Sequence, residues 1–331
     1  MRILVYDVAA SSSGALSILQ EYHARYCQEN GENDYFFVIS TPELTETEHV
    51  HVLRFPWVKN SWLHRLFFDY VFAPRLVRKY RMDKVFSLQN VLLPGTKVPQ
   101  ELYLHQPLPF VPQRFSFWKN KRLWANQHII SHMIYTSVKK AEKVIVQTKW
   151  MKDACVRICG ISAGKIVLEP PQVETGKIQR YAETEESRHT FFYPATPLAY
   201  KNHQVILDAC CILKKQGIED YRVIFTLQGD ENPCAAALRA FAQQHDLPIE
   251  FHGRFPREEV FALYAKSVVL FPSYIETFGM PLLEARLSRT PILAADTQFS
   301  REILEGYANV QFFTYDRAPE LAGRLKQVMR E

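Results

Sequence analysis

The chain has 331 residues, 47% of them hydrophobic and 23% charged; that balance excludes a disordered chain and leaves room for two ordinary domains, each with its own core. No apolar run approaches the roughly 18 residues that a membrane-spanning helix needs. The net charge of +5 divides into +8 over residues 1–170 and −3 over residues 171–331, so the first half suits an acidic partner, and without a nucleic-acid motif beside it nucleic acid ranks last.

Arg2 to Val8 alternates as a buried strand; Asp7 interrupts the apolar run, which argues for a first strand rather than a signal peptide. A small-residue loop ending at Gly14 leads into a helical pattern from Leu16 to Glu29. This is the opening of a nucleotide-binding-type βα unit without the full Gly-x-Gly-x-x-Gly fingerprint. Gly14 is where a donor phosphate or an acceptor would approach the backbone, and a plain tight turn is the equal alternative. Tyr35 to Ser40 and Val50 to Phe55 read as strands. Ser61 to Met82 is helical, with Trp62, Phe67, Phe68, Tyr70 and Phe72 set among Arg65, Arg75, Arg78, Lys79 and Arg81.

Lys84 to Leu88 and Glu101 to His105 are further strands. His105 ends its strand, and ligands of open parallel sheets bind outside the carboxyl ends. Between Arg114 and Lys152 the basic residues include Lys119, Lys121, Arg122, Lys139 and Lys140, with Glu142 the one acid and Phe115, Phe117, Trp118, Trp124 and Tyr135 interleaved. That mixture suits an anionic membrane surface; a solvated helix with its aromatics in the core is the plain alternative. Lys143 to Gln147 is a strand, and Thr148 is placed to cap the helix after it. The cysteines show no Cys-x-x-Cys pair and no zinc-like spacing; Cys155, Cys210 and Cys211 fall within helical patterns as small core residues, in keeping with a reducing cytoplasm.

A polar stretch with Pro171 and Gly176 separates a first domain, 1–170, from a second, 189–331, leaving 171–188 as linker. In the second, strands at Thr190–Tyr193, Arg222–Leu227, Ile249–His252, Val268–Phe271, Ile292–Ala295 and Val310–Phe313 alternate with helices near His203–Gln216, Pro233–His245, Arg257–Ser267, Phe278–Ser288, Ser300–Gly306 and Pro319–Arg330. Repeated βα units mean a parallel sheet covered on both faces.

The most informative stretch is FPSYIETFGMPLLEARLSR, Phe271 to Arg289. Gly279 and Pro281 fit a helix first turn. Glu276 and Glu284 are eight residues apart, about 80° on a helix wheel, so both carboxylates are expected to face one cleft. The backbone N–H groups of Thr277, Phe278 and Gly279 are expected to point out of the helix start and favour an anion. Part phosphate and part polyol describes a nucleotide-sugar, while two carboxylates on a wet surface is the bland alternative.

The string Pro272-Ser273, two residues, then Glu276 through Ala285 resembles the nucleotide-sugar motif of family 4 glycosyltransferases. The resemblance is strongest from Phe191 to Ile303 and weaker over Met1 to Val167. It implies the GT-B fold, an α/β architecture of two Rossmann-like doubly wound parallel-sheet domains facing across a cleft. It implies a retaining, hexosyltransferase-type enzyme that moves a sugar from a nucleotide-diphosphate-sugar to a glycan or lipid-linked acceptor in bacterial surface polysaccharide assembly. Lys201 matches the family's diphosphate lysine, Glu284 the ribose ligand, and Glu276 the residue that holds the sugar and faces positive charge at the anomeric carbon. His105 matches a His beside the sugar and acceptor. Many members carry Gly-Arg where Pro194-Ala195 stands here; the second cation is then absent or supplied by Arg254 or another residue.

No Asp-x-Asp motif is seen, so no metal and no cofactor are expected beyond the donor itself. The family mechanism is front-face substitution, in which the departing phosphate takes the acceptor proton. The expected location is cytoplasmic, peripheral on the inner face of the cell membrane. The rival readings are a nucleotide-sugar 2-epimerase on the same fold and a non-catalytic nucleotide-binding partner. The helix that in GT-B chains crosses back onto the first domain is expected to be absent here.

Overall fold

The computed structural model describes residues 1–330 except 12, 30, 119, 174, 175 and 177, so Lys119 of the basic segment lies outside the described residues. The chain divides into two units, Met1–Pro171 and Gln172–Glu331.

The first unit is built on a seven-stranded sheet in the order β3-β2-β1-β4-β5-β6-β7. Its strands are β1 (Arg2–Asp7), β2 (Asp34–Ile39), β3 (Val50–Arg54), β4 (Lys84–Ser87), β5 (Gln100–Leu104), β6 (Lys143–Val146) and β7 (Ile166–Leu168). All neighbours pair in parallel. The strands read as near-continuous apolar runs because both faces are covered. Leu4, Tyr6, Phe36, Val38 and Val85 meet Phe68, Leu76 and Val77 on one face. Val5, Phe37, Ile39 and Phe86 meet Ile18, Leu19 and Tyr22 of α1 (Ser13–Cys27) on the other. Short β7 had no sequence signal strong enough to stand out.

The long helix expected over 61–82 is instead α2 (Trp62–Phe67), a π-helical turn (Phe68–Phe72) and α3 (Ala73–Lys79). Pro74 lacks an N–H and stands in the first turn of α3, which restarts the helix after the wide turn. The same device recurs in α4 (Lys121–Ala125), a π turn (Asn126–Ile130) and α5 (Ser131–Lys140). Of the aromatics in the first of these segments, Phe68 is buried, whereas Trp62, Phe67 and Tyr70 are exposed together with Leu63 and Leu66. Helix α6 (Lys149–Cys159) starts at Thr148, whose side chain does not close the cap.

The second unit carries a six-stranded parallel sheet, β10-β9-β8-β11-β12-β13. The strands are β8 (Thr190–Tyr193), β9 (Arg222–Phe225), β10 (Ile249–Phe251), β11 (Val268–Phe271), β12 (Ile292–Ala295) and β13 (Val310–Phe313). The helices are α7 (Glu185–Arg188), α8 (His203–Lys215), α9 (Pro233–Gln244), α10 (Arg257–Tyr264), α11 (Met280–Leu287), α12 (Gln298–Ile303) and α13 (Ala318–Val328). Chain order runs outward from β8 on one side and from β11 on the other, so the switch point falls between them and the carboxyl ends of β8 and β11 frame the natural ligand site.

The later part of the stretch expected as linker is fastened to this unit. Tyr181 donates its N–H to Ser288 at 2.7 Å and Ala182 to Ala265 at 2.9 Å, and Thr184 and Ser187 form a capping box on α7. The last helix, α13, packs on α8 of the same unit. Among the described residues no helix is long and apolar enough to cross a membrane.

Candidate active site

Two loops meet at the switch point of the second sheet. One leaves β8 and ends in a 3-10 turn, Ala199–Lys201; the other, 272–279, joins β11 to α11. Asn202 adopts the left-handed conformation at φ 59° and ties the loops together, its side-chain amide donating to the carbonyls of Pro272 (3.3 Å) and Tyr315 (2.7 Å). The buried Tyr193 hydroxyl donates to the Lys201 carbonyl at 2.6 Å. The Tyr274 N–H donates to the Tyr200 carbonyl at 3.1 Å.

The result is a direct ion pair between Lys201 Nζ and Glu276 Oε1, with side chains only 18% and 15% exposed. Ser273 Oγ donates to the same Glu276 oxygen at 2.7 Å. Behind this pair, His203 opens α8 with its Nε2 buried and without a partner among the described residues. Burial, and then the charge of Lys201, hold its pKa down at about 3, so its ring is neutral.

The expected common helical face for the two glutamates does not hold. Helix α11 begins at Met280 with Gly279 as its N-cap, so Glu276 lies in the loop and the helix-wheel angle does not apply to it. Thr277 and Phe278 likewise form the turn before the helix rather than its first residues. Gly279 is required there: φ is +91°, and a Cβ would stand 3.3 Å from the Phe271 ring. Glu284 is on the helix and 1% exposed. Its Oε1 accepts from Arg257 Nη2 at 2.5 Å and its Oε2 from the Tyr264 hydroxyl at 2.9 Å. Both partners come from α10, 20 and 27 residues away in sequence.

Arg254 is exposed on the loop after β10, the edge strand two positions from β8. In the first unit, Gly14 stands at the start of α1 with nothing within 4 Å of the place a Cβ would occupy, so open space and not a close approach surrounds it. His105 follows β5 at the carboxyl edge. Its Nε2 lies 3.0 Å from the Leu88 carbonyl and 3.1 Å from Asn90 Nδ2. The Leu88 carbonyl can only accept from Nε2 and the Asn90 amide nitrogen can only donate to it, so the two contacts favour opposite tautomers of the ring. Asn90 Oδ1 also takes the His105 backbone N–H at 2.7 Å. Burial depresses the His105 pKa to about 4, partly offset by the Leu88 bond, so the ring is neutral at physiological pH.

Sequence reasoning missed Arg257, Tyr264, Asn202, Ser273 and Asn90. Arg257 follows Pro256 at a helix start, a pattern that reads as solvated surface; the string Ser273 to Glu276 did contain a short-range signal for the serine contact. Among the described residues no three His, Cys, Asp or Glu side chains gather as a metal-binding group.

The profile of the family described as glycosyl transferases group 1 matches residues 176–331. That match spans a little under half of the chain and lies within its second unit. The match covers the second sheet, including the Lys201–Glu276 pair and the Glu284 cage. The chain is 29% identical to the D-inositol 3-phosphate glycosyltransferase of Corynebacterium kroppenstedtii over 48% of this chain and 39% of that enzyme. It is 24% identical to the O-antigen chain mannosyltransferase RfbU of Salmonella typhimurium over 87% of this chain and 74% of that enzyme. Sucrose-phosphate synthase from Thermosynechococcus elongatus superposes with a TM-score of 0.76 at 14% identity, over 100% of this chain and 90% of that one. Anabaena Alr3699/HepE, in complex with UDP and glucose, superposes with a TM-score of 0.70 at 16% identity over the same shares, 100% and 90%. At these identities the structural likeness speaks for the fold alone, GT-B.

Proposed function

We propose that this protein is a retaining glycosyltransferase that takes a hexose from a nucleotide-diphosphate-sugar and passes it to a glycan or lipid-linked acceptor in surface polysaccharide assembly. The observation that carries the reading is the meeting of Lys201 and Glu276 at the carboxyl ends of β8 and β11, with Glu284 fixed one helix behind them. A fixed ammonium group there suits the diphosphate of a donor, where negative charge grows as the glycosidic bond breaks. Glu276 sits beside it, positioned for the hydroxyls of the transferred sugar and for positive charge at the anomeric carbon. Glu284 is the ribose ligand on this reading, and Thr277 to Gly279 present backbone to the diphosphate. Arg254, on the loop after β10, is the candidate for the second cation at the diphosphate. His105, at the carboxyl edge of the first sheet, is assigned the place beside the sugar and acceptor. The donor is a substrate, and the reading calls on neither a metal nor a further cofactor.

A peripheral place on an anionic membrane, on the cytoplasmic side, fits the first unit. Exposed apolar side chains crowd α2 (Trp62, Leu63, Leu66, Phe67) and the stretch 118–133 (Trp118, Ile129, Ile130, Met133), the latter in the same part of the sequence as exposed Lys121, Arg122, Lys139 and Lys140. Apolar contact plus basic residues is what holds a protein to an anionic interface.

The test of the donor assignment is a thermal-shift screen of nucleotide-sugars. A true donor binds only the native state and must raise the melting temperature, by an amount that grows with its concentration. A panel of UDP-, GDP- and ADP-sugars that leaves melting unchanged at millimolar concentration contradicts the reading. Donor conversion to an epimer without acceptor would instead identify an epimerase, and binding without any turnover a non-catalytic partner.

A further inference from the structure

The Glu284 carboxylate is closed into the protein, yet the proposed function asks it to receive a ribose. Its orientation is set by two residues of α10, one on each carboxylate oxygen. Tyr264 is fully buried, packed edge-on against the rings of Phe192 and Phe261, and its carbonyl accepts from Thr290 Oγ1 at 2.6 Å. Its hydroxyl therefore has one place to be, 2.9 Å from Glu284 Oε2. Arg257 stands in the first turn of the same helix with its side chain half exposed. Its guanidinium lies over the Phe261 ring at 4.8 Å and places Nη2 at 2.5 Å from Oε1. The two contacts use different oxygens. Each carboxylate oxygen has capacity for two hydrogen bonds, so one acceptor site remains on each.

We propose that Arg257 and Tyr264 are positioning residues for the donor nucleotide, holding the Glu284 carboxylate so that its two remaining acceptor sites meet the vicinal ribose hydroxyls. This rests on the reading of the site as a nucleotide-sugar seat and adds to it the part that selects ribose. The donors on Glu284 are unequal. Arg257 supplies a charge-assisted bond from the solvent side, and Tyr264 a neutral one from the core. A free side chain at 284 would rotate among several staggered states; the two bonds select one before the ligand arrives. Arg257 is thereby a specificity residue for the sugar half of the nucleoside, acting through Glu284.

The experiment compares nucleotides that have and lack the diol. The nucleoside diphosphate that binds the native protein best among UDP, GDP and ADP is titrated calorimetrically beside its 2′,3′-dideoxy counterpart. Titrations use native protein, Arg257→Gln, Arg257→Lys and Tyr264→Phe. The native protein is expected to prefer the ribonucleotide. Arg257→Gln should weaken ribonucleotide binding roughly 10- to 100-fold, the range for one hydrogen bond to a charged group, and leave the dideoxynucleotide unchanged, so the preference collapses. Arg257→Lys should restore part of it, and Tyr264→Phe should cost roughly 3- to 10-fold on the ribonucleotide alone, as for a neutral bond. In steady-state kinetics with the full donor, the losses in all three should fall on the donor KM more than on kcat.

Equal losses for both nucleotides, or no loss for either, would overturn the proposal. Should Arg257→Gln fail to fold, Arg257→Lys and Tyr264→Phe decide by the same comparison. A native protein that binds none of the three diphosphates would instead sink the donor-site reading itself. Native discrimination that survives in the variants sinks only the positioning role.

Discussion

Replacing Lys201 with Ala separates what this residue does for the fold from what it does for the chemistry. In the native protein its ammonium group is paired with Glu276, both side chains mostly buried, and Ser273 supplies the carboxylate with one further bond at 2.7 Å. Removing one partner of a fully buried pair costs about 3–5 kcal/mol, and breaking an exposed pair about 0–1 kcal/mol. With one sixth of each side chain reached by water and Ser273 still in place, a loss of about 1–2 kcal/mol is expected. For a unit of this size that is a fall of roughly 2–8 °C in melting temperature. The effect on turnover should be far larger. A preorganised charge at a developing anion is worth several kcal/mol, so kcat with saturating donor should drop by about 100-fold or more. Lys201→Arg should recover only part of it, because the guanidinium is larger and differently hydrated. The double change Lys201→Ala with Glu276→Gln should regain stability without regaining turnover, since no orphaned carboxylate remains. The assay is a melting curve beside steady-state transfer or donor hydrolysis. Near-normal kcat for Lys201→Ala at saturating donor would refute the leaving-group role.

The two glutamates should fail differently. Glu284→Gln is expected to raise the donor KM and weaken the bare nucleoside diphosphate, because a charged acceptor becomes a neutral one with a single oxygen, whereas Glu276→Gln should lower kcat and leave the bare nucleotide's affinity nearly unchanged; the reverse pattern, by calorimetry and kinetics, would exchange the two roles. Asp7 ends β1 with Oδ1 accepting the Ala10 N–H at 3.0 Å and Oδ2 buried without a partner among the described residues, and burial raises its pKa to about 6. Its folded pKa thus lies above the unfolded value, the native state holds the extra proton between the two, and ionisation weighs on the fold as pH rises through 6. Asp7→Asn should therefore raise the melting temperature at pH 7.5, by the equivalent of up to about 3 kcal/mol, and give no gain near pH 4; an equal gain at both would refute it. Neutralising Lys121, Arg122, Lys139 and Lys140 together should reduce sedimentation with anionic liposomes steeply, at about 1 kcal/mol per residue near the surface, while nucleotide binding stays intact; unchanged sedimentation would leave these residues a solvated face.

Much of this was legible because the second half follows local rules. Strand and helix periods alternate cleanly there, and a parallel sheet buried on both faces gives unambiguous apolar runs. The Phe271 to Arg289 string was readable as a strand-loop-helix with a glycine at the turn, although the helix starts two residues later than expected because Gly279 takes a left-handed φ of +91°. Long-range partners were not readable. Arg257 meets Glu284 across 27 residues, and Lys201 meets Glu276 across 75; no spacing rule joins such pairs. In the first half the aromatic residues of 61–82 hid the π turn, since a helix apolar on several faces reads as buried, whereas here Trp62, Phe67 and Tyr70 are exposed.

The central claim is transfer with retention from a nucleotide-diphosphate-sugar, and proton NMR of donor hydrolysis tests it most directly. The donor identified by thermal shift is incubated with the protein and no acceptor, so that water takes the sugar, and the first-formed free sugar is observed before it mutarotates. The account predicts release in the anomeric configuration of the donor, at a rate that Lys201→Ala and Glu276→Gln both suppress. First-formed sugar of the opposite configuration, or release that survives both substitutions, would contradict it.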